Sequence, residues 1–359
     1  MTFFVFPRVP FLCLLIFLNV SSASKANISR GRVFPLFDGK LLDEHKEQIQ
    51  SYSFTLVVPL LCLFAFLIGF PTNMLALWVL LLRTKKLPST ILLINLTICD
   101  LLLLLVLPFR IVYHFLGNNW TFGEAFCRVV IGFLYGNMYG SVVCLALIAM
   151  DRYVALVHPF GAKTLRSNKN SVCMSVVVWI VVLVAVVPLL ASQQAYTINN
   201  SSITTCHDAL PIEQQKNYFL PYFATLFSLC FLLPLLVVLF CYSAVLHTLM
   251  AEGQRFAHAI IVTALMLMVF VVFLLPSNIL LLLHYATSNF NLYVPYQIAL
   301  SFSTFNSCID PFIFYYVSKD FRKKLWQALR CSGSDSESSS VSRTKMTLLS
   351  KMSRTEGAA

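Results

Sequence analysis

The chain has 359 residues, of which 58% are hydrophobic and only 11% are charged, and its formal net charge is +11. A soluble domain carries about 25% charged residues, whereas here the apolar residues come in long runs, so the composition indicates a polytopic membrane protein. Many basic residues lie in short segments beside these runs, which is typical of membrane orientation, and they form no aromatic-rich basic patch that would predict nucleic-acid binding.

The first residues form a separate targeting element. Arg8 precedes an apolar core from Phe11 to Val20, which is too short to span a bilayer, and small residues follow through Ala23. This pattern predicts a secretory signal peptide over residues 1–23, with an uncleaved signal anchor as the alternative. Cleavage would place the mature N-terminus outside the cell.

Seven apolar segments of spanning length follow the signal peptide. Such segments must be helices, because their backbone groups find no other partner in lipid. Lys and Arg concentrate in the loops that this topology places inside, together with the C-terminus. We therefore predict an all-α membrane protein, a seven-transmembrane helix bundle over residues 54–316. The first to seventh spans are predicted over 54–82, 88–116, 124–156, 169–191, 217–248, 256–284 and 292–316.

The segment after the seventh span is short, basic and amphipathic. Its apolar residues recur at helical spacing, which predicts a short eighth helix over residues 317–330 that lies on the lipid of the inner leaflet. The polar tail over residues 331–359 is predicted to be disordered. Cys331 is a candidate for palmitoylation, and the serines between Ser332 and Ser342 are candidates for phosphorylation.

Cysteines and glycosylation sequons mark the predicted outer loops. Cys127 and Cys206 flank apolar runs on the outer, oxidising side, and we predict a disulfide between them. Four sequons also fall on this side, which supports the topology although each is weak alone. They begin at Asn27, Asn119, Asn199 and Asn200.

Polar residues within the spans are costly in lipid, so each is a functional candidate. Asp100 and Asp310 lie in the second and seventh spans, with Ser141 and Asn306 at similar depth. These four side chains could converge on a small hydrated cation such as sodium, on a water cluster, or on each other in a network without an ion. We predict no other metal or cofactor. A carboxylate pair also occurs in intramembrane aspartyl proteases, but the glycine-containing motif expected beside one aspartate is missing.

The inner end of the third span carries Asp151, Arg152 and Tyr153. An acid beside an arginine at the water boundary can hold the arginine or release it toward a partner. Proline interrupts six of the seven spans. Because proline bends helices, this pattern favours a bundle that moves.

Certain polar, cysteine, aromatic and proline residues mark the successive spans, and their order along the chain resembles that of the rhodopsin-like G-protein-coupled receptors. Within that superfamily, "TTCHDALP" at 204–211, "MYGSV" at 138–142 and "CIDPFIFYYVSKDFR" at 308–322 are similar to the protease-activated receptors. "RTKKLPSTILLINL" and "WTFGEAFCR" are similar to the thrombin-responsive branch of that family, which acts on clotting cells. The markers are Asn73, Asp100, Cys127, Asp151-Arg152-Tyr153, Trp179, Pro234, Tyr242, Pro276 and Asp310-Pro311.

The resemblance implies a receptor rather than an enzyme. An extracellular serine protease would cut the N-terminal segment, and the new amino terminus would bind its own bundle as a tethered ligand. The inner face would then open to heterotrimeric G proteins of the Gq and G12/13 classes, with arrestin as a further partner, and Tyr242 would join Asp151-Arg152-Tyr153 in the switch. The ligand-binding residues implied at the outer mouth are Tyr135, Tyr139, His207, Asp208, His284, Tyr285 and Tyr296. Among them, Asp208 is expected to pair with the new ammonium group or another cation.

Two arginines ahead of the first span suit a trypsin-like protease. The tethered ligands of the resembling family tend to begin with a small residue followed by a large apolar or aromatic one, and one thrombin-responsive subtype resembles small-aromatic-proline. Cutting after Arg32 frees a segment that fits this order better than cutting after Arg30, before Gly31. We therefore predict that residues 24–32 are released and that residues 33–53 form the tethered-ligand segment. Its first residues are Val33, Phe34, Pro35 and Leu36.

Two other classes of membrane protein compete with this interpretation. A transporter would usually show paired halves or inverted repeats, which seven unequal spans do not show. A seven-helix receptor for a diffusible peptide is the stronger rival, and it differs from a tethered-ligand receptor only in where the ligand comes from.

Overall fold

The computed structural model describes residues 34–41, 43–82, 84, 87–158, 167–199, 202–252, 257–280, 293–317 and 321–327. The predicted signal peptide, the released segment 24–32 and the tail 331–359 lie outside these ranges. So do nine of the predicted site residues, namely Asn27, Arg30, Gly31, Arg32, Val33, Asn200, His284, Tyr285 and Cys331.

Within the described ranges, five helices are long and apolar enough to cross a membrane, and they correspond to the first five predicted spans. The first four are Val58–Leu82, Pro88–Phe115, Glu124–Val157 and Asn168–Ala191. The fifth belongs to a continuous helix from Ile212 to Ala251. The sixth comprises Ala257–Val269 and Phe270–Leu274 and continues to Leu280, and the seventh comprises Tyr293–Ser303 and Asn306–Val317.

Within the residues that the structure describes, four stretches of these helices are wound as π-helix, and each ends two residues before a proline. Proline lacks the N–H that would close an ordinary helical turn, and its ring clashes with the carbonyl four residues earlier. The turn before it widens in response, and such widened turns often occur at functional sites. The stretches end at Val57, Phe219, Leu232 and Leu274, before Pro59, Pro221, Pro234 and Pro276.

The seventh span is broken by a turn at Thr304 and Phe305. The backbone N–H of Ser307 donates to the carbonyl of Thr304 at 3.2 Å, so the chain tightens there before the helix resumes at Asn306. This break places Asn306 and Ser307 against the second span, where both are buried.

The buried residues form an outer and an inner core cluster. The outer cluster joins the N-terminal segment to the mouth of the bundle and includes Phe34, Tyr135 and Tyr293. The inner cluster surrounds the cytoplasmic halves of the helices and includes Tyr242 and Phe314. Large apolar side chains are exposed along the outer faces of the helices, as lipid-facing residues are.

The outer segments carry two small sheets that the sequence analysis did not predict. Strands β2 (Ala195–Ile198) and β3 (Ile203–Cys206) form an antiparallel hairpin, and β1 (Phe34–Leu36) pairs in parallel with β4 (Ala209–Pro211). Strands of three or four residues are too short to give a clear alternation of apolar and polar residues, so hydrophobic periodicity did not predict them. A short helix, Asp43–Ile49, follows β1.

Residues 321–327 are helical and lie beyond the seventh span, within the predicted eighth helix. Phe321 is buried and Leu325 packs partly buried against the inner cluster, while Trp326 is exposed. One face of this short helix therefore rests on the bundle. The remainder of the predicted range 317–330 runs into residues outside the described part.

Candidate functional site

The N-terminal segment lies in the mouth of the bundle as a parallel strand on β4. Phe34, Pro35 and Leu36 stand opposite Ala209, Leu210 and Pro211. The backbone N–H of Phe34 donates to the carbonyl of Asp208 at 2.9 Å. This is strand addition, in which main-chain bonds supply affinity and alternate side chains enter pockets.

Phe34 is the anchor of this strand, because its side chain has no exposed surface. Its ring centre lies 4.4 Å from that of Tyr293 and 5.1 Å from that of His45. Gln215 fixes the main chain beside it, since Nε2 donates to the carbonyls of Phe34 at 3.1 Å and Leu210 at 2.9 Å. The side chain of Leu36 is also buried, as the twofold period of a strand requires.

A tight turn and the short helix close over the strand. Phe37 and Lys40 exchange two backbone hydrogen bonds, at 3.0 and 2.9 Å, which returns the chain toward the bundle. Farther along, Leu41 and Ile49 are buried, and Asn118 donates from Nδ2 to the carbonyl of Ile49. Residues 34–49 therefore form a folded insert rather than a loose tether.

The carboxylate of Asp208 points away from the strand and into the bundle. Tyr113 donates to Oδ2 at 2.7 Å, and Tyr293 donates to Oδ1 at 2.5 Å. Gln297 also donates to Oδ1 at 3.1 Å and accepts from the guanidinium of Arg110 at 3.0 Å. Burial raises the pKa of the Asp208 carboxyl, while the charge of Arg110 and the tyrosine bonds oppose that rise.

The other predicted pocket residues that the structure describes, His207, Tyr135, Tyr139 and Tyr296, lie around this network and are buried. Nδ1 of His207 is hydrogen-bonded to Oε1 of Gln194, with 2.6 Å between the two atoms. The His207 ring also sits edge-on to Tyr135, at 5.5 Å between ring centres. Tyr139 stacks beside Tyr135 at 6.5 Å, and Tyr296 lies 6.4 Å from Tyr293. The structure thus brings His207, Tyr135 and Tyr139 together beside Asp208, with Tyr296 on the side of the seventh span.

The outer hairpin is attached to the third span at two points. Cys127 and Cys206 form a disulfide with their Cα atoms 5.8 Å apart, which confirms the predicted pairing. Glu124 adds a second attachment, because its carboxylate accepts from the backbone N–H groups of Gln194 at 2.9 Å and Ala195 at 2.6 Å. The position of β4, which follows β3 directly, is fixed by these anchors.

Deeper in the bundle, the predicted polar residues lie close together, and two of them, Ser141 and Asn306, line a small cavity. Asp100 accepts at Oδ1 from Ser141 at 3.4 Å, and it also accepts from Asn137 at 3.1 Å and Ser307 at 2.9 Å. Asp310 lies near enough to Asp100 for the two carboxylates to interact electrostatically. The neighbouring cavity has a volume of about 10 Å³, and its wall includes Asn137, Ser141 and Asn306.

Several acceptors among these polar residues receive no hydrogen bond from the residues described, and of them only Asn306 lines the cavity. They are Asp100 Oδ2, Asn306 Oδ1 and both carboxylate oxygens of Asp310. Two carboxylates in contact repel each other unless a proton or a cation lies between them. An oxygen-rich site of this kind fits a hydrated monovalent cation or ordered water, and the volume has room for about one water molecule.

At the inner end of the third span, Arg152 lies 3.5 Å from the carboxylate of Asp151. Tyr153 shares a hydrogen bond of 2.9 Å with His158 and packs near Phe240 of the fifth span. Tyr242 is buried nearby, and its hydroxyl has no hydrogen-bond partner among the described residues. This arrangement pairs Arg152 with Asp151 at the inner end of the third span.

The two described sequons occupy different environments. Asn119 accepts from the backbone N–H of Thr204 at 3.0 Å through Oδ1, which leaves Nδ2 for a sugar. Asn199 is exposed at the end of β2, and its backbone N–H donates to the carbonyl of Gly39 at 2.9 Å.

Most of the side chains that hold Asp208 are not among the site residues predicted from the sequence. Arg110 carries the clearest signal, because it is an ionisable residue within a predicted span, which is the criterion that selected Asp100. Gln297 and Tyr293 lie in the seventh predicted span without any local motif. Gln215 lies in the π-helical stretch Gln215–Phe219, and no local motif marks its bond to the docked strand, so only the structure reveals it.

Comparison with known proteins agrees with this architecture. The family model described as 7 transmembrane receptor (rhodopsin family) matches residues 72–314. Proteinase-activated receptor 4 of Homo sapiens is 45% identical over 290 residues, covering 80% of this chain and 75% of that protein. Proteinase-activated receptor 4 of Rattus norvegicus is 46% identical, with coverages of 80% and 73%. Proteinase-activated receptor 2 of Rattus norvegicus is 38% identical over 315 residues, with coverages of 84% and 79%.

These matches cover the bundle, whose helices, outer disulfide and inner acid-arginine pair are described above. The identity is highest to relatives of the fourth subtype among those compared here. The chain belongs to the proteinase-activated receptors, a family of rhodopsin-type seven-transmembrane receptors at the cell surface, and is a signalling receptor rather than an enzyme.

Proposed function

We propose that a trypsin-like serine protease outside the cell, thrombin or a relative, cuts this receptor after Arg32 and exposes Val33 as a new amino terminus. Residues Val33-Phe34-Pro35-Leu36 then act as the tethered ligand. The single observation that carries this proposal is the strand Phe34–Leu36, which lies on β4 in the mouth of the bundle. Membership in the proteinase-activated receptors supports the same mechanism.

The register of the strand favours the cut after Arg32. Phe34 is the innermost side chain and follows the proposed new terminus directly, as an aromatic second residue should. Pro35 has no backbone N–H, and an added edge strand accepts proline because its outward donors need no partner. Cutting after Arg30 instead would leave a glycine and a charged guanidinium ahead of the strand.

The docked strand is joined to the first span through a short folded connection. The helix Asp43–Ile49 and the π-helical turn Ser53–Val57 lead from it into Val58–Leu82. A short connection gives an effective ligand concentration on the order of millimolar, so a peptide of weak intrinsic affinity can dock. The high effective concentration explains how a ligand can dock although its buried contacts come mainly from two side chains, Phe34 and Leu36.

Asp208 supports a route for the signal from the ligand into the bundle. Its carbonyl accepts from Phe34, while its carboxylate accepts from Tyr113 of the second span and from Tyr293 of the seventh. A change in the strand therefore acts on two spans at once. The same two spans carry Asp100 and Asp310 deeper in the bundle.

We also propose that Asp100, Ser141, Asn306 and Asp310 hold a small hydrated cation, such as sodium, or a water cluster. The acceptors that no described donor satisfies support this assignment. A bound cation would neutralise the facing carboxylates. Asp100 itself accepts from Ser141 of the third span and from Ser307 of the seventh, so it links three spans.

On the inner side, the receptor signals through heterotrimeric G proteins. We propose coupling to the Gq and G12/13 classes, with Asp151, Arg152, Tyr153 and Tyr242 as the switch that opens toward them. The phosphorylated tail would recruit arrestin, and a palmitoyl group on Cys331 would attach the tail to membrane lipid. Activation of clotting cells is the physiological setting that the family suggests.

N-terminal sequencing of the membrane-bound product after protease treatment tests the cleavage. Arg32→Ala should abolish signalling triggered by the protease, whereas Arg30→Ala should preserve it. Both variants should respond to the free peptide Val-Phe-Pro-Leu, which controls for folding. If Arg30→Ala alone is silent, the register is wrong. If neither variant loses the protease response, the receptor takes a ligand from elsewhere.

A further inference from the structure

Beyond the anchor at Phe34, the N-terminal segment makes a second contact with the outer hairpin. Gly39 accepts at its carbonyl from the backbone N–H of Asn199 at 2.9 Å. The side chain of Asn199 also lies against Gly39, because a Cβ built on Gly39 would stand 2.5 Å from Nδ2 and 3.3 Å from Cγ. The carboxamide of Asn199 therefore covers the face of Gly39 where a side chain would project.

The turn that makes this contact is specified by its own sequence. Asp38 and Gly39 have φ values of 51° and 74° and lie between the paired residues Phe37 and Lys40. Asp-Gly is a preferred pair for a two-residue turn in which both central residues have positive φ. Glycine is required at the second position for two reasons: it adopts the positive φ without strain, and its missing side chain leaves room for Asn199.

We propose that the turn Phe37–Lys40 is a second docking element of the tethered segment, that Asn199 is its receptor-side contact, and that N-glycosylation of Asn199 prevents this docking. The inference rests on the proposed tethered-ligand function. It assigns Asn199 to ligand recognition and leaves Asn200, next to it, to carry the glycan of this loop.

The chemistry of glycosylation explains the conflict. A lipid-linked diphospho-oligosaccharide transfers its sugar to Nδ2, so a bond from the anomeric carbon to nitrogen forms, the lipid diphosphate leaves and one amide proton is released. The product is bulky. Because Nδ2 is the atom of Asn199 nearest to the Cβ position of Gly39, a sugar there forces the side chain away from the turn.

The two overlapping sequons can be separated by single substitutions. Asn199-Asn200-Ser201 ends at Ser201, whereas Asn200-Ser201-Ser202 ends at Ser202. Ser201→Ala therefore removes only the sequon of Asn199, and Ser202→Ala removes only that of Asn200. The two variants are matched in size and position, and glycopeptide mass spectrometry reads which asparagine carries a sugar.

The experiment uses the full-length receptor in cells at equal surface level. The response to protease depends on the whole tethered segment, whereas the free peptide Val-Phe-Pro-Leu lacks the turn and serves as the internal reference. Ser201→Ala should respond to protease as the unsubstituted receptor does. In the Ser202→Ala receptor, Asn199 should either carry no sugar, or carry a sugar together with the loss of most of the protease response. A full protease response with sugar on Asn199 overturns the proposal.

Gly39→Ala tests the contact without any glycan. A positive φ costs an ordinary residue about 1–2 kcal/mol, and the added Cβ also meets Asn199, so the response to protease should weaken about tenfold relative to the free peptide. Gly117→Ala is the control, because Gly117 also has positive φ, 71°, but a Cβ there would meet nothing within 4 Å.

The outcomes also separate this inference from the proposed function. An unchanged ratio of protease to peptide response in Gly39→Ala overturns the second contact alone. If the unsubstituted receptor answers neither protease nor peptide, the tethered-ligand function itself fails.

Discussion

Replacing Phe34 by alanine should remove most of the affinity of the tethered ligand. The side chain is fully buried between Tyr293 and His45, with ring centres 4.4 and 5.1 Å away. Truncating a buried phenylalanine costs about 3–5 kcal/mol when the site cannot collapse. Because each 1.36 kcal/mol corresponds to about tenfold in an equilibrium constant, even the lower figure predicts a loss of more than about 100-fold.

The assay compares free peptides that begin at Val33 on cells expressing the receptor, with G-protein activation as the response. The peptide with alanine in place of Phe34 should need more than about 100-fold higher concentration for a half-maximal response. The matched control replaces Phe37, which is the same residue type in the same segment but is 42% exposed. Its removal should cost less than about tenfold, since much of that ring remains in water in the docked state.

Equal losses from the two replacements would refute this reasoning. They would mean that Phe34 owes its effect to general apolarity rather than to the site between Tyr293 and His45. The receptor variant Tyr293→Ala, measured with both peptides, should reduce the gap between them, because it removes the nearest ring.

Three further outcomes follow from the site. Asp208→Asn should make stability less dependent on pH. Burial raises the pKa of the Asp208 carboxyl, so the folded state binds this proton more readily than the unfolded state does, and the contribution of Asp208 to stability is complete below the unfolded pKa and declines as pH rises through the folded pKa. The thermal stability of Asp208→Asn relative to the unsubstituted receptor should therefore improve with rising pH, and a constant difference would count against it. Cys206→Ser should lower surface expression or peptide response, since it opens a link across 79 residues, and normal values for both would argue against an anchoring role. Asp100→Asn should weaken G-protein activation at equal surface level more than it weakens folding, and normal activation would contradict the network described here.

The bundle was predictable because lipid leaves the chain few choices. A run of apolar residues of spanning length must be helical, so the predicted second span 88–116 differs from the observed Pro88–Phe115 by one residue. The helix that contains the fifth span begins earlier than predicted, at Ile212, and its first turns carry polar residues that hydropathy does not assign to a span. Hydropathy reports where lipid begins, whereas the helix ends where its backbone bonds end.

The polar centre of the bundle was also partly predictable. Burial in lipid makes Asp100 and Asp310 expensive, so their presence signals a function wherever they meet. The neighbours Asn137 and Ser307 could not be assigned in the same way. Amide and hydroxyl groups are tolerated within spans, and only the turn at Thr304 brings Ser307 to Asp100.

The outer mouth was the least predictable part, because its order depends on contacts far apart in the chain. The strand β1 has three residues and pairs with a strand about 175 positions away, since Phe34 stands opposite Ala209. No local signal reports such a pairing. The resemblance to a family supplied the expectation that the segment binds here, and the structure supplied the register.

Arg110 shows why the outer mouth and the bundle act as one unit. An arginine within a span requires an acid, and in this chain the acid belongs to an outer loop rather than to another span. Asp208 reaches the charge only because the disulfide at Cys206 and the strand β4 hold the loop down in the mouth. Gln297 of the seventh span lies between them, bonded to both side chains. The backbone N–H of Phe34 is bonded to the carbonyl of the same Asp208. A change in how the ligand docks therefore also affects the acid that partners the buried charge of Arg110. Electrostatic interactions are strong where water is excluded, so the bonds of Gln297 to both side chains support the proposed route from the ligand to the second and seventh spans.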